Sequence, residues 1–242
     1  MGLVRSVLTI SASVPATIAF GGGGVVASYF TKSGLLPNWN QLAWAETLVQ
    51  AAGLELVTSG MENADPSKNY IIVTNHSSLL DIPVVYKALP LDIRWLAKKE
   101  LFRIPVFGIA MRRAGHISID RGNRAAAMET LGKMARDVKS GVSVVIFPEG
   151  TRSLDGEIKE FKPGAFMLAM ESGVPILPVV ITGTYEAMPK GSLNIEAGKV
   201  GVRALPAVDV TGLDPKQDKK DLMDRVRNMM IEALEEERGK IK

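Results

Sequence analysis

Beyond Gly60, the chain alternates between short apolar runs and longer stretches whose apolar residues recur at helical spacing. The apolar runs predict strands, because β-branched residues are frequent in them and polar turns bound them. The predicted strands are Tyr70–Thr74, Ile93–Ala97, Ile117–Ile119, Val142–Phe147, Ile176–Ile181 and Val200–Leu205. Predicted helices lie between them, notably Arg124–Lys139, Ala165–Ser172 and Lys219–Gly239. Strands that alternate with helices indicate an α/β fold class, with a mainly parallel central sheet flanked by helices.

The first 52 residues carry a different pattern. Residues 6–31 contain no charged side chain, and this stretch exceeds the ~20 apolar residues that cross a bilayer. Pro15 and the glycines at 21–24 interrupt it, and a second helix, Asn38–Gly53, carries two of the chain's three tryptophans. Tryptophan favours the headgroup level of a membrane. We predict two helices around a Gly/Pro break that dip into one leaflet. The alternatives are a single span or a buried helical hairpin packed on the domain.

This pattern divides the chain of 242 residues into two parts. Residues 1–55 form an N-terminal helical membrane-associating motif, and residues 56–242 form an α/β domain. The chain has no cysteine, which excludes a disulfide framework, a thiolate metal site and a cysteine nucleophile. Only two histidines are present, so we predict no metal site.

Positive charge is concentrated in one segment, although the net charge is only +3. The segment from Arg94 to Arg124 contains eight basic residues and only two acidic residues. This density indicates an anionic partner, either phosphate, nucleic acid or acidic lipid, and a solvated basic face is the alternative. We expect no nucleic acid, because the segment lacks the interleaved aromatic residues of single-strand binders.

The residues Asn75-His76-Ser77-Ser78-Leu79-Leu80-Asp81 follow the first predicted strand directly. Five positions along a helix rotate a side chain by about 140°, so His76 and Asp81 meet only if His76 lies in the turn and Asp81 begins the next helix. Ser77 or Ser78 is then the expected N-cap. A carboxylate on one imidazole nitrogen leaves the other nitrogen able to take a proton from a hydroxyl. A satisfied turn histidine is the alternative.

Four segments together resemble the glycerolipid acyltransferase family, over about residues 70–185. Asn75-His76-x4-Asp81 resembles its first signature block, residues 115–121 the second, residues 147–153 the third and residues 174–179 the fourth. Within the family, the length and the short N-terminal region are most similar to the bacterial 1-acylglycerol-3-phosphate acyltransferases.

The resemblance implies roles for single residues. His76 is the general base and Asp81 its partner. Arg121, whose planar donors suit a phosphate dianion, binds the acceptor phosphate, and Arg152 is the second residue with this role. Lys98 assists them or belongs to a solvated face. The supporting residues are Asn75, Glu149, Gly150 and Thr151.

Four further positions have a structural interpretation, and for three of them a functional one stands beside it. Glu149 binds a substrate hydroxyl or, as we favour, holds Arg152 in place. Gly150 permits a tight turn or a close approach of substrate. Pro178 shapes a buried strand or a wall of an acyl pocket. We interpret His116, which alternates with apolar neighbours, as structural.

The implied reaction transfers an acyl group from acyl-CoA or acyl carrier protein to 1-acyl-glycerol 3-phosphate, giving phosphatidic acid. Transfer is expected to be direct, because the chain lacks a Gly-x-Ser-x-Gly nucleophile elbow as well as cysteine. No cofactor is expected beyond the acyl co-substrate. The expected location is the cytoplasmic face of the cell membrane, with a membrane lipid as acceptor. Alternatives are another acceptor such as glycerol 3-phosphate or another lysolipid, a hydrolase, and a non-catalytic lipid-binding protein.

Overall fold

A computed structural model describes residues 2–31, 38–120, 122–139 and 141–241. The described chain contains one seven-stranded sheet, in the order β1-β7-β6-β2-β5-β3-β4. The strands are β1 (Leu54–Ser59), β2 (Ile71–Thr74), β3 (Ile93–Lys98), β4 (Ile117–Ile119), β5 (Ser143–Ile146), β6 (Ile176–Thr182) and β7 (Gly198–Ala204). Neighbouring strands are parallel except β6 and β7, which are antiparallel. The predicted fold class is confirmed.

The helices of the described residues cover both faces of this sheet. They are α1 (Gly2–Ser28), α2 (Asn38–Ala51), α3 (Asp81–Ala88), α4 (Phe107–Arg113), α5 (Arg124–Lys139), α6 (Gly164–Ser172), α7 (Thr184–Ala187) and α8 (Lys219–Ile241), with 3₁₀ turns at Met61–Asn63 and Lys99–Arg103. Every predicted strand and helix beyond Gly60 is present, with small shifts of its ends. Strand β1 was not predicted, since it is an edge strand paired only with β7 and half its residues are polar.

Two hydrophobic cores lie on opposite faces of the sheet. Ile71 and Val73 of β2 pack into the core that α5, α6 and α8 cover. Ile72, which points the other way, packs into the core beneath α2 and α3. This two-sided burial explains why the central strands are continuous apolar runs rather than alternating ones.

Helix α1 runs without interruption through Pro15 and the glycines at 21–24, so the predicted break at these residues is wrong. The glycines cost helix propensity, but tertiary packing offsets that cost. Gly21 lies against α4, where a Cβ would meet the Cβ of Ala110 at 3.5 Å. The helix ends at Ser28, and the linking residues 32–37 lie outside the described residues.

The two N-terminal helices differ in how deeply their side chains are buried. In α2, Ala45 and Val49 are fully buried with α3 and β1. In α1, Val14 and Ile18 are more than half exposed. By length and composition, Thr9–Ser28 is long and apolar enough to cross a membrane, and 6% of it is buried within the protein. Removing both helices would therefore open the core, while the exposed apolar side chains of α1 are available to lipid. The division at residue 55 falls within β1 and stays a prediction.

Candidate active site

His76 and Asp81 meet at the carboxyl edge of the sheet. Strand β2 ends at Thr74, His76 lies in the following turn, and Asp81 is the first residue of α3. Nδ1 of His76 lies 2.7 Å from Oδ2 of Asp81. The Asp81 side chain is fully buried, and 15% of the His76 side chain is exposed. The predicted contact between the two side chains is confirmed, and their catalytic role stays a prediction.

The turn is held in a different way from the predicted serine cap. Leu80 precedes the helix at the cap position, and no side chain caps it. The N–H groups of Ser77 and Ser78 instead donate to Oδ2 of Asp81, at 2.8 and 2.9 Å. The prediction was wrong because the carboxylate folds back onto the turn and satisfies these donors itself. The same oxygen thereby orients His76.

Thr184 completes the surroundings of the carboxylate. Its hydroxyl donates to Oδ1 of Asp81 at 2.5 Å, from α7, and the residue is fully buried. Asp81 thus receives hydrogen bonds on both oxygens. Sequence reasoning missed Thr184, although a hydroxyl residue two positions after the end of strand β6 was a usable signal, since parallel strands end at one edge.

Glu149 supports the backbone of His76 and does not contact Arg152. Its Oε1 accepts the His76 N–H at 2.8 Å, and its Oε2 accepts the Lys159 N–H at 3.2 Å. The favoured prediction was wrong because the side chain turns inward, where it is 4% exposed. Burial raises the pKa of Glu149 to about 7, although the two N–H donors oppose the shift.

A second bond joins the same two loops. The Ser153 N–H donates to the His76 carbonyl at 2.8 Å. The first and third signature segments are therefore tied together through the main chain.

The loop after β5 depends on a glycine conformation. Gly150 has φ +74°, and a Cβ there would lie 2.9 Å from Nζ of Lys162. Nζ of Lys190 donates to Oγ1 of Thr151 at 3.1 Å and to the Arg152 carbonyl at 3.3 Å. The guanidinium of Arg152 is partly exposed and forms no hydrogen bond or ion pair with a described residue. Sequence reasoning did not single out Lys190, which adds positive charge beside Arg152.

Of the two other predicted phosphate ligands, the structure describes Lys98 and not Arg121. Arg121 lies outside the described residues. Lys98 ends β3, with its side chain 58% exposed and Nζ 3.7 Å from Oε2 of Glu100. Its role as a phosphate ligand stays a prediction.

Asn75 and Pro178 hold the sheet beside the site. The Asn75 amide donates to the Ile181 carbonyl and accepts the Ile181 N–H, both at 2.8 Å, which fixes the end of β2 against β6. Pro178 is buried within β6, and its carbonyl accepts the Leu205 N–H at 2.9 Å. It is not among the described residues that line the cavity next to His76, so the structure favours its structural interpretation.

An apolar cavity of about 260 Å³ begins at His76. The imidazole stacks on Phe147, with ring centroids 3.8 Å apart and an angle of 13° between planes. Phe147 in turn stacks on Trp95 at 5.3 Å. The cavity continues along these rings beneath α1, α2, α3 and α4. A long apolar group could therefore lie with one end beside His76.

Residues 55–182 match the model of the family described as Acyltransferase. The chain belongs to the acyltransferase family. It is similar to 1-acyl-sn-glycerol-3-phosphate acyltransferase alpha of Ovis aries, with 36% identity over 185 residues, 76% of this chain and 64% of that protein. It is also similar to 1-acyl-sn-glycerol-3-phosphate acyltransferase of Limnanthes douglasii, with 35% identity over 158 residues, 65% of this chain and 56% of that protein. The chain thus spans less than two thirds of the length of these relatives.

The chain is also similar to a solved structure along nearly its whole length. The crystal structure of the 1-acyl-sn-glycerophosphate (LPA) acyltransferase PlsC from Thermotoga maritima matches with a TM-score of 0.84 and 27% identity. The match covers 98% of this chain and 96% of that chain. The likeness therefore includes the N-terminal helices as well as the sheet.

Proposed function

We propose that this acyltransferase transfers an acyl group from a thioester to the free 2-hydroxyl of 1-acyl-glycerol 3-phosphate, giving phosphatidic acid. The observation that carries the proposal is the 2.7 Å contact between His76 and Asp81 at the mouth of an apolar cavity. The names of the relatives support the choice of acceptor. The donor is acyl-CoA or acyl carrier protein, and the reaction needs no other cofactor.

In this mechanism, His76 is the general base. Because Nδ1–H donates to Asp81, Nε2 carries the lone pair that takes the proton from the acceptor hydroxyl. The oxygen attacks the thioester carbonyl, and the tetrahedral intermediate expels the thiolate, which receives the proton from the imidazolium. Asp81 stabilises that imidazolium, and its buried hydrogen bonds hold it in place.

The acceptor phosphate is bound by arginine. The guanidinium of Arg152 has no hydrogen-bond or ion-pair partner among the described residues, and Arg152 directly precedes Ser153, whose N–H is bonded to the His76 carbonyl. Arg121 and Lys98 are the further phosphate ligands in this proposal. The assignment of Arg121 rests on the sequence alone. Fixing the phosphate places the hydroxyl against His76, and such positioning is worth roughly 7–11 kcal/mol in favourable cases.

The acyl chain of the donor lies in the cavity. The lining is mostly apolar, and burial of a chain gains about 0.8 kcal/mol per CH₂. The acceptor reaches the site from the cytoplasmic leaflet, where the exposed apolar face of α1 inserts. Its own acyl chain then stays in lipid during transfer.

The decisive experiment is product analysis with a labelled acyl thioester and the full chain in vesicles. We expect labelled phosphatidic acid only when 1-acyl-glycerol 3-phosphate is present. Labelled free fatty acid without acceptor would indicate a hydrolase. Faster transfer to glycerol 3-phosphate or to another lysolipid than to 1-acyl-glycerol 3-phosphate would show that the proposed acceptor is wrong. An absence of any product would indicate a lipid-binding protein.

A further inference from the structure

The loop after strand β6 crosses the active-site edge of the sheet and touches both of the loops that build the site. At its start, in α7, Thr184 donates to Asp81 at 2.5 Å. Further along, the Met188 carbonyl accepts the hydroxyl of Ser78 at 2.7 Å. The loop then reaches Lys190, whose Nζ donates to the loop after β5. Lys190 therefore lies between the loop after β2 and the loop after β5.

Two hydrogen bonds hold the ammonium group of Lys190 in place. Nζ donates to Oγ1 of Thr151 at 3.1 Å and to the Arg152 carbonyl at 3.3 Å. An ammonium carries three N–H donors, and the third has no partner among the described residues. Because the partly buried side chain is already fixed, it loses less rotamer freedom on binding a ligand than a free surface lysine does.

The positive charge of Lys190 is not neutralised by the protein. No described acidic residue forms an ion pair with Lys190 or with Arg152. Lys98, at the end of β3, differs in this respect, since its Nζ lies 3.7 Å from Oε2 of Glu100. Two neighbouring positive charges repel each other, and an anion bound between them relieves the repulsion. The surroundings of Lys190 therefore favour an anionic ligand.

A phosphate monoester needs more than one cation to bind all of its free oxygens. It presents three such oxygens, and a planar guanidinium binds two of them in parallel. In the proposed function, Arg152 has this role. The remaining oxygen suits an ammonium, which acts as a compact point charge. Nζ of Lys190 lies 3.3 Å from the main-chain oxygen of the residue that carries the guanidinium.

We propose that Lys190 binds the acceptor phosphate together with Arg152. The loop after β6 then supplies a phosphate ligand as well as Thr184, the hydrogen-bond donor to Asp81. The inference rests on the proposed function, because it takes the acceptor to carry a phosphate monoester. Lys190 lies outside the four segments that resemble the family, so only its place in the fold assigns this role.

The test is steady-state kinetics of the full chain with vesicles of phosphatidylcholine, in which the mole fraction of 1-acyl-glycerol 3-phosphate is varied. These vesicles have no net charge, so the loss of one lysine does not weaken vesicle binding by charge. Lys190→Met should raise the KM for the acceptor by roughly tenfold or more, the cost of a hydrogen bond to a charged group. The KM for the acyl thioester and kcat should change little. Lys190→Arg should recover most of the affinity, because a guanidinium also pairs with phosphate.

Thr151→Val separates phosphate binding from support of the loop. It removes the bond that Lys190 donates to Thr151 and keeps the charge of the lysine. If Lys190 only held the loop, Thr151→Val would raise the KM as much as Lys190→Met does. We expect a clearly smaller rise. Lys133→Met, at an exposed lysine of α5, removes the same net charge and should keep the KM of the wild type.

The outcomes separate this proposal from the proposed function. A folded Lys190→Met enzyme with the acceptor KM of the wild type would overturn the role of Lys190. An equal or larger effect of Thr151→Val would also overturn it, as would a fall in kcat with an unchanged KM. If thermal melting shows that Lys190→Met does not fold, Lys190→Gln provides the same comparison. No transfer to 1-acyl-glycerol 3-phosphate by the wild type would overturn the proposed function itself.

Discussion

The hydroxyl of Thr184 donates to the one oxygen of Asp81 that His76 does not occupy, at 2.5 Å and fully buried. The two residues lie 103 positions apart in the chain. Because Oδ2 is already bound by His76 and two backbone N–H groups, Thr184 fixes the remaining rotation of the carboxylate. We assign Thr184 as a positioning residue that acts through Asp81.

Replacing Thr184 by Val removes the hydroxyl and keeps the shape. We expect kcat to fall by roughly tenfold with little change in KM, the cost of a hydrogen bond to a charged group. Thr184→Ser should restore most of the rate, because it returns the donor. The pH profile of kcat should shift for Val and not for Ser. A Val variant with the kcat and pH profile of the wild type would remove Thr184 from this role.

His76→Ala should lower kcat by roughly 10²–10⁴, the usual range for loss of general base catalysis. Asp81→Asn should also lower kcat, since its amide cannot accept the bonds of His76, Ser77 and Ser78 in the same way. The exposed Asp221→Asn on α8 is the control. Thermal melting would establish that each variant is folded. A folded His76→Ala enzyme with near-normal turnover would refute the assignment of the base.

Arg152→Ala should raise the KM for the acceptor by roughly tenfold or more, because a charge-assisted bond to phosphate is lost. The KM of Arg152→Lys should lie between those of the wild type and Arg152→Ala, since lysine keeps the charge without the planar donors. The exposed Arg225→Ala on α8 serves as the comparison. Steady-state kinetics over a range of acceptor concentrations measures the effect. An unchanged KM would place the phosphate elsewhere.

Glu149 should make the stability depend on pH. Its pKa is about 7 in the fold against an ordinary 4.5, so the folded protein retains a proton that the unfolded chain has released in this window. The free energy of unfolding should therefore fall as pH rises from about 4.5 to about 7. Glu149→Gln should flatten this part of the profile in urea titrations. The exposed Glu160→Gln should leave it in place. If the unfolding free energy of Glu149→Gln depended on pH as that of the wild type does, the raised pKa of Glu149 would be contradicted.

The exposed face of α1 should control membrane binding. Val14→Asp with Ile18→Asp should lower partition into anionic vesicles by roughly tenfold or more, because two apolar side chains are lost from the bilayer. Met128→Asp, at an exposed apolar residue of α5 on the other face of the sheet, should bind as the wild type does. Vesicle flotation measures both. Equal binding of all three proteins would reject α1 as the anchor.

Features that depend on neighbouring residues could be predicted from the sequence. The strand β2 and the helix α5 follow from local apolar spacing, which is set by the chain geometry of each element. The contact of His76 with Asp81 is of the same kind, because a strand, a turn and a helix start place them together within a few residues. The interruption of α1 at Pro15 was wrong, because contacts of α1 with the rest of the protein outweigh local propensity.

The sequence by itself determined the α/β class and the contact between His76 and Asp81, since alternation, spacing and a short turn are properties of adjacent positions. Only the tertiary structure decided that Thr184 binds Asp81, that Glu149 holds the backbone of His76, and that Gln41 and Trp95 line one cavity. The physical reason is the order of the sheet. Strands β6, β2 and β5 lie side by side and parallel, so the loops after them, distant in the chain, end at one edge.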